Sequence, residues 1–186
     1  MLYLIALFLH IAGALLLAAA TGIEWLCIVN LRKVGTIENV RQSLSNYKKL
    51  GMIGGISWLL ILIPGIYMMA MEWRRYSGWI AVAFIGIMII AVVGGAVSSR
   101  KLRKAEKLLT NENALTSEVQ GILTSGSLAF SLRLRTIVFL GIILLMVAKP
   151  VMPTSIIILA VSIAVGSLPI GGRARGTAAA QTEVEQ

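Results

Sequence analysis

The sequence predicts an all-α fold, a polytopic transmembrane helical bundle of five spans, and three observations carry that prediction. Hydrophobic residues make up 58% of the chain and charged residues 13%, with a mean hydropathy of +0.87, far from the balance of a soluble domain. The apolar residues are gathered into five runs, to be counted against the ~20 residues that carry a helix across a bilayer core of ~30 Å. The basic residues that give the chain its net charge of +9 lie mostly between those runs. They read as topology signals and anionic-lipid contacts rather than as a nucleic-acid surface.

The first span covers residues 2–29. Its Ala18-Ala19-Ala20 run resembles a signal-peptide cleavage site, but no basic region precedes it and the apolar run continues past it, so a retained helix is expected. The second span covers 50–71 and the third 79–97. The fourth and fifth, 136–148 and 154–168, divide one long apolar stretch at Pro150 and Pro153. Proline disrupts a helix interior, so Lys149-Pro150-Val151-Met152-Pro153 is expected to form a tight turn between two short helices. The alternative is four spans with a Pro-kinked last helix.

Loop charge favours five. Five spans put Arg32, Lys33, Arg41, Lys48, Lys49, Arg100, Lys101, Arg103, Lys104, Lys107, Arg133, Arg135, Arg173 and Arg175 on one side. Only Arg74, Arg75 and Lys149 fall on the other, the bias expected when basic residues stay in the cytoplasm. The N-terminus is then outside and the C-terminus inside. Tyr3, Tyr67, Trp73, Tyr76 and Trp79 fall at outer span ends and Trp25 and Tyr47 at inner ones, as an aromatic belt requires. Trp58 is the exception.

In the first inner loop Val34, Ile37, Val40, Leu44 and Tyr47 recur at helical spacing, which predicts a short amphipathic helix lying on the inner leaflet. In the second, Leu115, Val119, Ile122 and Leu123 repeat likewise, and Ser125-Gly126-Ser127 marks a break before the fourth span. Residues 1–170 form the transmembrane domain. The Gly-, Ala-, Thr- and Gln-rich segment 171–186 reads as a disordered cytoplasmic tail.

Small residues mark the helix contacts, because lipid gives helices no hydrophobic reason to associate. Gly51 and Gly55 have small-xxx-small spacing, Gly78, Gly86 and Gly94 recur every eight residues, and the fifth span has Ser162 and Gly166. Intrachain packing is the simplest use of these faces. A homodimer, or docking within a larger membrane complex, is the other.

Ionisable groups are costly inside a membrane, so His10, Glu24 and Lys149 are the functional candidates. His10 is the only histidine. A neutral imidazole can ligate haem iron or copper, and nearby Gly13 and Ala14 leave room for a planar group. The same residue also fits a buried histidine hydrogen-bonded to a neighbouring helix. Met68, Met69, Met71, Met146 and Met152 fall at or near the outer end, where thioethers with His10 would make a soft site for Cu(I) or an axial haem ligand. Methionine is equally an ordinary gap filler. Glu24 is expected to pair with Arg133 or Arg135, and Lys149 to snorkel outward, toward Glu72. The single cysteine, Cys27, excludes an intrachain disulfide. No Ser-His-acid set, paired buried carboxylates, phosphate-cradling loop or HExxH motif occurs, which speaks against a conventional hydrolase or nucleotide-driven pump.

Leu9-His10-Ile11-Ala12-Gly13, Gly78-Trp79-Ile80 and Met146-Val147-Ala148-Lys149-Pro150 give the chain a likeness to a known group. It resembles the small polytopic bacterial proteins that include copper-resistance CopD and HemJ-type protoporphyrinogen oxidase, with an uncharacterised branch of predicted integral membrane proteins. The resemblance implies a bundle in the bacterial inner membrane with His10 available for haem b or a metal. In the HemJ-type enzymes a lysine follows the Gly-Trp opening of the third helix, whereas the matching position here is Ala83 or a close neighbour that is also apolar. No catalytic residue carries over. The expectation is a non-enzymatic haem-binding membrane protein, with copper handling or an accessory role in a respiratory or photosynthetic complex as alternatives.

Overall fold

The computed structural model describes residues 1–32, 36–72, 78–112 and 116–168. They form α1 (Leu2–Arg32), α2 (Ile37–Glu72), α3 (Gly78–Val93), a π-helical turn (Gly94–Ser99), α4 (Arg100–Glu112), α5 (Ser117–Leu123), α6 (Gly126–Ala148) and α7 (Met152–Ser167). No strand occurs among the described residues, and the chain is a transmembrane helical bundle. Four helical runs, Leu2–Leu31, Ile37–Met71, Gly78–Thr110 and Ser117–Ala148, are long and apolar enough to cross a membrane. The shorter α7 has 16 residues and, at 1.5 Å per residue, reaches about 24 Å.

The last apolar stretch is two helices. α6 ends where Lys149 turns into the left-handed region (φ 46°, ψ 50°), its N–H donating to the Leu145 carbonyl at 2.9 Å. Pro150 follows, and Pro153 sits in the first turn of α7, where a missing N–H costs nothing. α7 then runs back along α6, as paired positions at increasing distance from the turn show. Gly141 lies against Ser162, and Gly166 against Leu134. The hairpin needs these glycines, since a Cβ on Gly141 would lie 2.2 Å from Ser162 Oγ.

Gly78 and Gly86 of α3 and Gly94 of the π turn that continues it face the same hairpin. Gly78 meets Met152, Gly86 meets Ile142 and Leu159, and Gly94 meets Arg135, so one face of α3 closes on α6 and α7. Val82, Ala83, Ile90, Val138, Ile142, Leu145 and Leu159 fill the space between these helices. Gly51, Gly54 and Gly55 of α2 behave differently, because nothing lies within 4 Å of where their Cβ atoms would be.

The polar segments between spans differ from their expected form. Residues 37–49 are not a separate helix on the leaflet but the first half of α2, continuous with its apolar half. Likewise α4 continues α3 through the π turn, and α6 starts ten residues before the expected fourth span. The apolar faces of these extensions bury against each other. Leu31, Val40, Leu44, Leu102, Ala105, Leu109, Val119, Leu123 and Leu128 form a second core at the end of the bundle that carries the basic loops. Burying Val40 and Leu44 in protein removes the reason for that face to seek lipid. Leu115 of the expected α5 pattern, Arg173, Arg175, the aromatic residues Trp73 and Tyr76, and segment 171–186 lie outside the described residues.

Two sub-bundles result. α1 packs most extensively on α2, while α3, α6 and α7 pack on one another. Between the two sets contact is sparse and runs through α1 with α6 and α5, and α2 with α4. The seam between them holds Glu24, Arg135 and His10.

Candidate functional site

Glu24 lies in α1 about two turns from its basic end and is only 8% exposed. Its partner is Arg135 on α6, with Nη2 to Oε1 at 2.5 Å, the carboxylate buried and the arginine half-buried. Arg133, two residues away and therefore on another face of α6, turns to α7 instead. There its Nε donates to the Gly166 carbonyl at 3.0 Å and its Nη2 to that of Leu168, which satisfies carbonyls at the helix C-terminus.

Arg135 is held on several sides. Nε donates to the Ser131 carbonyl at 3.4 Å and Nη2 reaches Ser98 Oγ at 3.5 Å. Ser98 and Ser131, both fully buried, share a hydrogen bond of 3.0 Å, and Ser131 Oγ donates to the Val93 carbonyl. Gly94 makes the arrangement possible: a Cβ there would lie 3.1 Å from Nη1 and 3.2 Å from Cδ of Arg135. The π turn thus brings a side-chain-free position and Ser98 to the same guanidinium. Single π turns inside α-helices are often found at functional sites. Beside the pair, Trp25 Nε1 donates to Thr136 Oγ1 at 3.2 Å, a second polar tie between α1 and α6.

A cavity of about 240 Å³ opens next to the ion pair. Glu24, Arg135, Tyr47, Ser99 and Thr21 give it a polar end, and Leu17, Trp58, Ile90 and Phe139 an apolar one. Gly51, Gly54, Gly55, Gly94 and Gly95 line it as well. At a liquid volume of ~30 Å³ per water, the space admits several waters or a small organic group. The open α2 glycines are the floor of a cavity, not a close helix contact.

His10 stands in the other half of the seam. Its Nδ1 is 2.8 Å from the Ile61 carbonyl, so Nδ1 carries a proton and donates. Gly65 of α2 lets the ring approach, a Cβ there lying 3.2 Å from Nδ1 and Cε1. The cleft beside the ring, lined by His10, Ala14, Trp58 and Met146 among others, measures about 30 Å³. Met146 shares the cleft, whereas Met68, Met69 and Met71 do not line it, and Met69 and Met71 are exposed. Among the described residues, no three His, Cys, Asp or Glu side chains gather to hold a metal ion.

Leu17, Trp58, Ile90 and Phe139 border both the cleft and the cavity, so the two are neighbours along one seam. This accounts for Trp58, which has no place in an interfacial belt. Ser98, Ser99 and Ser131 are site residues that the sequence left unassigned, their only signal a hydroxyl at the edge of an apolar span, and Tyr47, read there as a belt and amphipathic-stripe residue, lines the cavity. Lys149 is exposed at the opposite end, and the Glu72 side chain lies outside the described residues. Comparison of the chain with family models, curated proteins and solved structures gives no match.

Proposed function

We propose that the protein is a non-enzymatic binding protein of a cytoplasmic membrane that takes a small amphiphilic molecule into the seam between its two sub-bundles. The observation that carries this reading is the cavity of about 240 Å³ with a buried ion pair at one end, an apolar wall at the other and bare glycine backbone between. Ionisable groups in a spanning segment are costly and mark sites of use by default. The two-sided lining suits a molecule with a polar head and an apolar body. The bias of basic residues supports an orientation with the cavity's polar end toward the cytoplasm.

The test is saturable quenching of tryptophan fluorescence by a terminally brominated medium-chain amphiphile, with the protein in nanodiscs and empty nanodiscs subtracted. Gly54→Leu fills the cavity from a position where nothing lies within 4 Å. Saturable quenching in the wild type and its loss in Gly54→Leu is the expected result. Equal quenching in the two proteins would sink the reading.

A second reading concerns His10, favoured by the Nδ1 hydrogen bond and by Met146 on the same cleft. Imidazole and thioether together suit Cu(I). Purified protein that binds no Cu(I) under reducing conditions, or binds it equally after His10→Ala, would remove this role.

A further inference from the structure

We infer that the seam cavity takes an amphiphile with an anionic head, and that each anion bound there brings one proton, which is taken up by Glu24. This rests on the amphiphile reading above and specifies its chemistry. The donors in the cavity point to an anion. Arg135 offers the one full positive charge of the lining, and Tyr47 and Ser99 add hydroxyl groups, while the Thr21 hydroxyl donates to the Leu17 carbonyl. Nε and Nη2 of Arg135 are engaged, while Nη1 lies over Gly94 on the cavity wall. A planar guanidinium is suited to two-point binding of a sulfate, phosphate or carboxylate oxygen pair once Nη2 leaves the Glu24 carboxylate.

Charge balance then requires the proton. At rest Glu24 and Arg135 cancel, so the buried site is neutral. An added anion leaves one uncompensated negative charge in a region where burial strongly penalises such charge. The charged and titratable groups around Glu24 are Arg135 on α6, Tyr47 on α2 and Cys27 on α1 itself, while the π turn contributes only the hydroxyls of Ser98 and Ser99. None of these offers a second positive charge. Glu24 restores neutrality by forming one O–H bond with a proton from water in the cavity, and Arg135 passes from the Glu24 carboxylate to the anion of the guest. No electron moves and no other bond changes.

The sign follows from linkage. A complex that holds one proton more than the free protein weakens as pH rises, by tenfold in Kd per pH unit. The experiment is isothermal titration of nanodisc-embedded protein with decyl sulfate, whose head stays anionic throughout, so any proton taken up belongs to the protein. Decyltrimethylammonium and decanol are the cationic and neutral controls. Running each titration in two buffers of different ionisation enthalpy counts the protons.

The expected result is one proton taken up per decyl sulfate bound, with Kd weakening tenfold per pH unit in the wild type. In Glu24→Gln, where a neutral amide stands in for the protonated acid, no proton is taken up and Kd is flat with pH. Arg135→Gln loses decyl sulfate binding and keeps that of decanol. Proton-free binding in the wild type, or an unchanged pH slope in Glu24→Gln, overturns the inference and leaves the cavity reading standing. So does binding of decanol or decyltrimethylammonium without decyl sulfate. Failure of all three to bind, or equal binding by Gly54→Leu, overturns the cavity reading and the inference with it.

Discussion

Arg135→Gln tests whether the seam is held by charge. The carboxylate and guanidinium of the Glu24–Arg135 pair retain only 10% and 15% of their side-chain exposure, at a separation of 2.5 Å. Removing one member of a buried pair strands the other as an uncompensated charge, which costs roughly 3–5 kcal/mol. Glu24→Gln strands Arg135 in the same way, but the amide oxygen still accepts from the guanidinium and offsets part of the loss, so it should cost about 2–4 kcal/mol. The double substitution strands nothing, because two amides can pair, so it should cost less than the two single changes together by about 1–3 kcal/mol. A useful contrast is the Lys104–Glu118 pair, 2.8 Å apart but 63% and 54% exposed. Water screens it, and Lys104→Gln should cost at most about 1 kcal/mol. Reversible unfolding by SDS titration in bicelles measures all four variants. If the Glu24 and Arg135 effects add to within about 0.5 kcal/mol, the two side chains are not coupled and the account of the seam is wrong.

The glycines should divide by location. Gly141→Ala places a methyl group 2.2 Å from Ser162 Oγ and should destabilise by about 1–3 kcal/mol through overpacking, with Ser162→Gly restoring part of the loss. Gly51→Ala, where nothing lies within 4 Å, should stabilise by up to about 1 kcal/mol from helix propensity; the same unfolding assay reads both. His10, the sole histidine, should show ¹⁵N shifts of an Nδ1-protonated ring, and a ring protonated at Nε2 alone would contradict its bond to Ile61. Leu128→Ala, from a fully buried position in the second core, should cost about 2–5 kcal/mol. Hydrogen exchange should localise that loss to α4 and α5, with α6 and α7 protected along their apolar lengths.

By itself the sequence determined the helical class, the apolar passes and the turn at Lys149, Pro150 and Pro153. A bilayer forces every spanning segment to satisfy its own backbone, so these features follow from local composition alone. The packing face of α3 was legible for a similar reason, since glycines eight residues apart share a face and small residues mark close approach. His10 and Glu24 stood out because polar groups in apolar helices are rare. The tertiary structure alone decided what each face meets. Helical spacing placed Val40 and Leu44 on one stripe but could not say whether that stripe covers lipid or, as it does, the second core. It gave Gly51 and Gly55 a shared face without revealing that the face is open. The choice between Arg133 and Arg135 as partner for a residue more than a hundred positions away depends on how α6 is rotated against α1, and no local pattern encodes that rotation. The π turn that sets Gly94 and Ser98 beside Arg135 is likewise a property of the assembled bundle. The candidate site is made of these relations between helices, so the sequence displayed its charged residues and only the packing joined them to Tyr47, the serines and the cavity.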